Sequence, residues 1–128
     1  MSTQVLVSGP RAVLRVKEDR SGRVPSWDFI KDELSEKERI ITIRLLEFIA
    51  EHGPPRNTQK FKKITGTAFY EIKPTKQVRL VCFILKGVTP LTLLILGACK
   101  KKSRKLADAV IQQAKAELSE FLGQGSIL

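Results

Sequence analysis

Three strand-like runs, Ala68–Lys73, Gln77–Leu85 and Leu91–Cys99, follow one another along the chain. The connections between them, Pro74-Thr75-Lys76 and Lys86–Pro90, are short and suit antiparallel hairpins. The last run is almost wholly apolar, which predicts a central strand covered on both faces. The same region carries the charge. Arg56–Lys105 holds thirteen Lys or Arg residues and one acid, Glu71, while the flanking segments are close to neutral in a chain of net charge +10. A one-signed field fixed on a rigid sheet implies a polyanionic partner.

The rest of the chain reads as packing for that sheet. Ala12–Glu18 alternates as a strand, with Leu14 and Val16 opposite Arg15 and Lys17. Asp19–Pro25 is a turn, and Ser26 is placed to cap a short helix carrying Trp27, Phe29 and Ile30. Ser35 and Glu38 form a capping box that opens a helix running to about Glu51. Ile41, Leu45, Phe48 and Ile49 recur at helical spacing and are expected to face the core. His52, Gly53, Pro54 and Pro55 end that helix. Asn57–Thr67 reads as a basic loop. Ser103 is placed to cap a final helix whose apolar face is Leu106, Ala109, Val110, Ala114, Leu118 and Phe121, with Gly123 and Gly125 at its end. A chain of 128 residues fits one domain, 1–128, with its core in about 12–122. The class is α+β: a small, twisted, mainly antiparallel sheet with packed N-terminal helices and a C-terminal helix.

Several chemistries are excluded by residue type. There is one histidine, His52, in the last turn of a helix, where it complements the dipole, so two-histidine ribonuclease chemistry within the chain is ruled out. No P-loop, Ser/His/Asp set, Cys/His cluster or carboxylate-rich metal site occurs, so neither metal nor cofactor is expected. Cys82 and Cys99 lie in apolar runs and read as free thiols in a reducing cytosol. Met1–Pro10 lacks a signal peptide, and Val88–Cys99 is too short to span a membrane, so the expected location is cytoplasmic. A sequence pI near 10.0 fits a nucleic-acid binder. An anionic membrane surface and an acidic protein are the rival polyanions.

Within the basic stretch, Lys60, Lys62 and Lys63 form a loop suited to gripping a nucleic-acid backbone, and Lys76 adds a cation in the hairpin turn. Lys100, Lys101, Lys102, Arg104 and Lys105 precede or open the last helix, where cations oppose the helix dipole at a cost of roughly 0.3–1 kcal/mol each. An anion would complete such a corner. Lys73 and Arg79 lie near opposite ends of a tight turn. Alternation puts Arg79 on the face of Val81 and Phe83, where its planar fork can grip a phosphate. Glu71 has two possible roles, a structural salt bridge or a general base. Tyr70 points to the other face and reads as packed.

In order and spacing these residues resemble the RelE/ParE toxin superfamily, specifically its phage-derived, HigB-like branch. The matching pieces are Arg20–Pro25, Leu46–Pro54, Phe61–Gly66, Phe69–Lys73, Gln77–Arg79, and Gly97 followed by Lys100-Lys101, covering about residues 12–122. The resemblance implies a RelE-like fold and the toxin of a toxin–antitoxin pair, an endoribonuclease that cuts messenger RNA, typically within the ribosome. It also implies that the RNA's own 2′-OH is the nucleophile, without metal, and that basic residues replace the usual histidines. By position, Lys73 looks like a catalytic lysine, Arg79 like the strand arginine that stabilises the transition-state phosphate, and Lys100 or Lys101 like the basic position after the last strand. Glu71 is usual in this branch. The implied partners are messenger and ribosomal RNA and a cognate antitoxin of helix-turn-helix type, with no membrane.

Two departures stand out. The branch usually has His-Gly-Phe where this chain has Leu96-Gly97-Ala98, and no terminal Tyr or His lies near Leu106. A lysine is then left as acid or base, or cleavage is weak. Two other readings fit the charge: a ParE-like inhibitor of DNA gyrase, and a nucleic-acid-binding protein that does not cut.

Overall fold

In the computed structural model, which describes residues 3–101 and 108–123, the expected hairpins form the centre of a larger sheet. The elements in order are β1 (Thr3–Ser8), β2 (Ala12–Lys17), α1 (Pro25–Asp32), α2 (Glu36–His52), β3 (Phe61–Lys63), β4 (Tyr70–Ile72), β5 (Val78–Leu85), β6 (Leu91–Lys100) and α3 (Asp108–Gly123). The sheet runs β1-β2-β6-β5-β4-β3. All its pairings are antiparallel except β2 with β6. The class is α+β, compatible with a RelE-like fold. β6 is central, as its apolar run predicts, and six of its ten residues are buried.

Alternation along β5 and β6 divides the core in two. Leu80, Cys82, Leu93 and Ile95 join Leu14, Val16, Ile30, Leu46 and Ile49 beneath α1 and α2. Val81, Leu94 and Leu96 join Ala114 and Phe121 beneath α3 on the other face. A register shift between Val81 and Cys82 leaves Leu96 unpaired in a bulge, so consecutive Leu96 and Gly97 both lie on the α3 side, Gly97 opposite Val81. Gly97 follows, and a Cβ there would lie 3.3 Å from Val110, so α3 sits close to the sheet. Lys17, 2% exposed in its side chain, ties α3 to β2 through Glu117 at 2.9 Å and Glu120 at 3.1 Å.

The structure corrects four local expectations. Ser26 does not cap α1: Val24 holds that position, with Pro25 at the first helical residue and Ser26 buried behind it. The capping box of Ser35 and Glu38 is present, but the buried stripe of α2 is Thr42, Leu46, Ile49 and Ala50. That stripe is turned by one residue, roughly 100°, from the expected one, and leaves Phe48 47% exposed. The reason is the turn between β1 and β2. Arg11 N–H donates to Ala50 O at 3.0 Å, and a Cβ on Gly9 would come within 2.4 Å of that same oxygen. The turn therefore presses on α2 along the Ala50 side. The basic loop at 57–67 contains β3, a three-residue edge strand. On α3, Ala109 is exposed, while Val110, Ile111 and Leu118 pack against the core beside Ala114 and Phe121.

Candidate functional site

The strand register assembles the site. β4 pairs with β5 as Glu71↔Val81, and with β3 as Lys62↔Glu71. Opposed residues share a face, so Lys62 and Glu71 lie on the α3 side with Val81. Alternation adds Lys73 and Arg79 to that side. Tyr70 points the other way and stacks on Phe61, with centroids 5.0 Å apart.

Arg79 and Glu71 are both buried on this face. Nε of Arg79 lies 3.2 Å from Oε2 of Glu71, with side chains 9% and 12% exposed. The contact is electrostatic and poorly aligned, and neither atom has a hydrogen-bond partner among the described residues. The other side of the guanidinium is anchored: Nη1 donates to Thr75 O at 2.6 Å and to Val78 O at 2.9 Å. Thr75 Oγ1 in turn accepts from Gln77 N–H and Val78 N–H, so the turn that holds the arginine is itself braced. Arg79 is held in place by the hairpin rather than swinging free.

Lys73 sits beside this pair. Burial pushes its amine below the ordinary lysine value, and the nearby cations Arg79, Lys62 and Lys101 push the same way, against the opposing pull of Glu71. Its Nζ donates to Thr58 O at 3.2 Å, its N–H to Lys60 O at 2.8 Å, and Lys60 Nζ reaches Pro74 O at 3.1 Å. Lys60 thus braces the hairpin from outside the groove. Lys76 is exposed in the turn.

A groove of about 570 Å³ runs between the β3–β4 edge and α3. Its lining includes Lys62, Lys63, Glu71, Lys73 and Lys101 from the strands, and Asp108, Ile111, Gln112 and Lys115 from α3. Five lysines face two carboxylates. A second depression shares Lys63, Thr67 and Lys115 and extends past Leu118 and Ser119. The path therefore continues along α3.

The structure separates two neighbours that the sequence left interchangeable. Lys101 donates its backbone N–H to Gln77 O at 2.6 Å and lines the groove. Lys100 pairs with Val78 on the opposite face, where its Nζ meets Glu38 Oε1 at 3.0 Å. It closes the start of α2 rather than the groove. Lys102, Arg104, Lys105 and the cap Ser103 lie outside the described residues. Cys99 pairs with Arg79, while Cys82 pairs with Ile95 and is buried on the far side; both are free thiols.

Sequence reasoning missed the α3 wall. Asp108, Ile111, Gln112 and Lys115 have the i, i+3, i+4, i+7 spacing of one helical stripe, a signal readable beside the apolar face. Their opposition to β3 was not readable, because it depends on where α3 lies on the sheet. No helix among the described residues is long and apolar enough to cross a membrane. The sequence model of the family described as "Phage derived protein Gp49-like (DUF891)" matches residues 30–119, a span that contains α2, the whole β3–β6 sheet and most of α3. No curated protein matches the chain significantly.

Proposed function

Because the chain belongs to the phage-derived Gp49-like family, a RelE-like family of toxins from toxin–antitoxin systems, we propose that it cuts messenger RNA without a metal, on the ribosome, and is silenced by an antitoxin. The observation that carries this reading is the groove: a buried Arg79–Glu71 pair on its face of the sheet, with Lys73, Lys62 and Lys101 around it.

The chemistry follows from those groups. Attack of a ribose 2′-oxygen on the adjacent phosphorus forms the O2′–P bond and breaks the P–O5′ bond. The products are a 2′,3′-cyclic phosphate and a free 5′-OH. A base must take the 2′-OH proton, and an acid must give one to O5′. Glu71, the strand carboxylate that lines the groove, is the base in this reading. Lys73 is the acid, since a depressed pKa makes its ammonium a better donor than an ordinary lysine. Arg79 and Lys101 stabilise the extra negative charge on the pentacoordinate phosphate, where fixed cations in a water-poor site act most strongly. Lys62, Lys63 and Lys115 hold the backbone on either side.

The test is expression without antitoxin, with transcript ends mapped during growth arrest. New internal ends bearing 5′-OH, lost in Lys73→Met, are expected. Intact transcripts in arrested cells would overturn the reading, and DNA breaks with an SOS response would replace it with gyrase inhibition. RNA bound by purified protein, with no cleavage on purified ribosomes and no toxicity, would replace it with simple binding.

A further inference from the structure

The two walls of the groove differ in chemistry. The strand wall offers mostly cations, which suit phosphates and carry no base information. The α3 wall offers a carboxylate, an amide and an isoleucine: Asp108, Gln112 and Ile111. Asp108 and Gln112 are one helical turn apart, about 6 Å along the axis, so both reach a single planar group. Ile111 and Ile64, both half-buried, supply apolar contact for its faces. At about 570 Å³ the groove lies within the range of sites that enclose a small ligand, roughly 300–1,000 Å³. Glu71, whose Oε2 is held by Arg79 at 3.2 Å, lines the same groove from the strand side.

Resting on the reading of this groove as an RNA site, we propose that the α3 wall selects the base of the bound nucleotide, and that the base it selects is guanine. A carboxylate only accepts hydrogen bonds. Guanine is the one RNA base whose Watson–Crick edge presents two adjacent N–H donors, at N1 and N2, matching both oxygens of Asp108. Its O6 accepts from the Gln112 amide. Adenine and cytosine place a ring acceptor beside their amino group, which repels one carboxylate oxygen. Uracil flanks its single N–H with two carbonyls and fits worst. Single-stranded RNA exposes this edge for such readout. In a groove of lysines an acid weakens phosphate binding, while its place in the first turn of α3 suits the helix dipole, so Asp108 can serve base readout without destabilising the helix.

The test uses pentanucleotides of sequence UUNUU with 2′-O-methyl riboses, which cannot supply the nucleophile, and the intact chain, read by fluorescence anisotropy. The guanine pentamer is expected to bind about tenfold or more tighter than the uracil one, the discrimination of one bidentate contact. Asp108→Asn replaces one acceptor by a donor and matches adenine's N6 and N1. It is expected to put adenine above guanine. Equal affinity for all four bases would overturn this inference and leave the RNA site standing, as would an unchanged ranking in Asp108→Asn. Failure of every pentamer to bind would overturn both.

Discussion

Replacing Glu71 by Gln keeps the shape of the side chain and removes its charge, leaving Arg79 as a buried cation facing a neutral amide. The two side chains are 9% and 12% exposed and 3.2 Å apart. At an effective dielectric constant near 20, their attraction is about 5 kcal/mol, and desolvation offsets much of it in the intact pair. Losing one partner leaves that desolvation uncompensated, at about 3–5 kcal/mol. Nη1 keeps its bonds to Thr75 O and Val78 O, so the lower end, about 3 kcal/mol, is expected. For a chain of this size, that is a fall in Tm of roughly 10 °C. The assay is thermal and urea unfolding of Glu71→Gln, Arg79→Met and the double variant Glu71→Leu/Arg79→Met. Each single change should be costly, and the double should recover most of the loss, because removing both charges leaves no unpaired ion. If Glu71→Gln moves Tm by under about 2 °C, the pair behaves like a surface contact and the reasoning fails. If the double variant is as unstable as the sum of the singles, the residues act independently and it fails equally.

Three further outcomes are expected. The basic limb of the cleavage pH profile should break below the ordinary lysine value of 10.5, because burial depresses Lys73, and the cations Arg79, Lys62 and Lys101 add to this against the upward pull of Glu71; a break at or above 10.5, or one unchanged in Lys73→Arg, would remove Lys73 from the titration. For the tie between β2 and α3, burial alone would lower Lys17, but hydrogen bonds and charge from Glu117 and Glu120 outweigh it and raise its pKa, while its hydrogen bond and charge lower that of Glu120. The Lys17 contribution should be present below pH 10.5 and fade as pH rises through its higher folded value, and the Glu120 contribution should be present above pH 4.5 and fade as pH falls through its lower one; equilibrium unfolding across pH in wild type and Lys17→Met checks this, with Lys17→Met expected to flatten both limbs. Thr42 is 0% exposed and its hydroxyl has no partner among the described residues, so Thr42→Val should stabilise the chain by about 1 kcal/mol in urea unfolding.

Local patterns were legible wherever neighbours in sequence decide the outcome. The capping box at Ser35 and Glu38 depends on residues three apart, and both its hydrogen bonds are present. The hairpins of β4, β5 and β6 depend on short connections, and alternation placed Arg79 on the face of Val81 as expected. The misreadings arise where a distant element intervenes. The face of α2 was misjudged by one residue because the turn at Gly9 contacts Ala50, and nothing within α2 records that turn. β1 went unread because an edge strand pairs on one side, and its weak alternation reads as a strand once β2 is beside it.

Residue types and spacing by themselves determined an antiparallel centre, a cationic surface and a chain without the histidines of ordinary ribonucleases. Those properties follow from periodicity and composition, which are local and additive. The tertiary structure decided which cations act together. Register put Lys62, Glu71, Lys73 and Arg79 on one face, and the alternation of a strand sent adjacent Lys100 and Lys101 to opposite sides. The packing of α3 at Gly97 then turned a charged face into a groove with a second, differently equipped wall. Charge can be counted along a chain, but the field a ligand meets depends on distances and burial, and these exist only once the chain has folded.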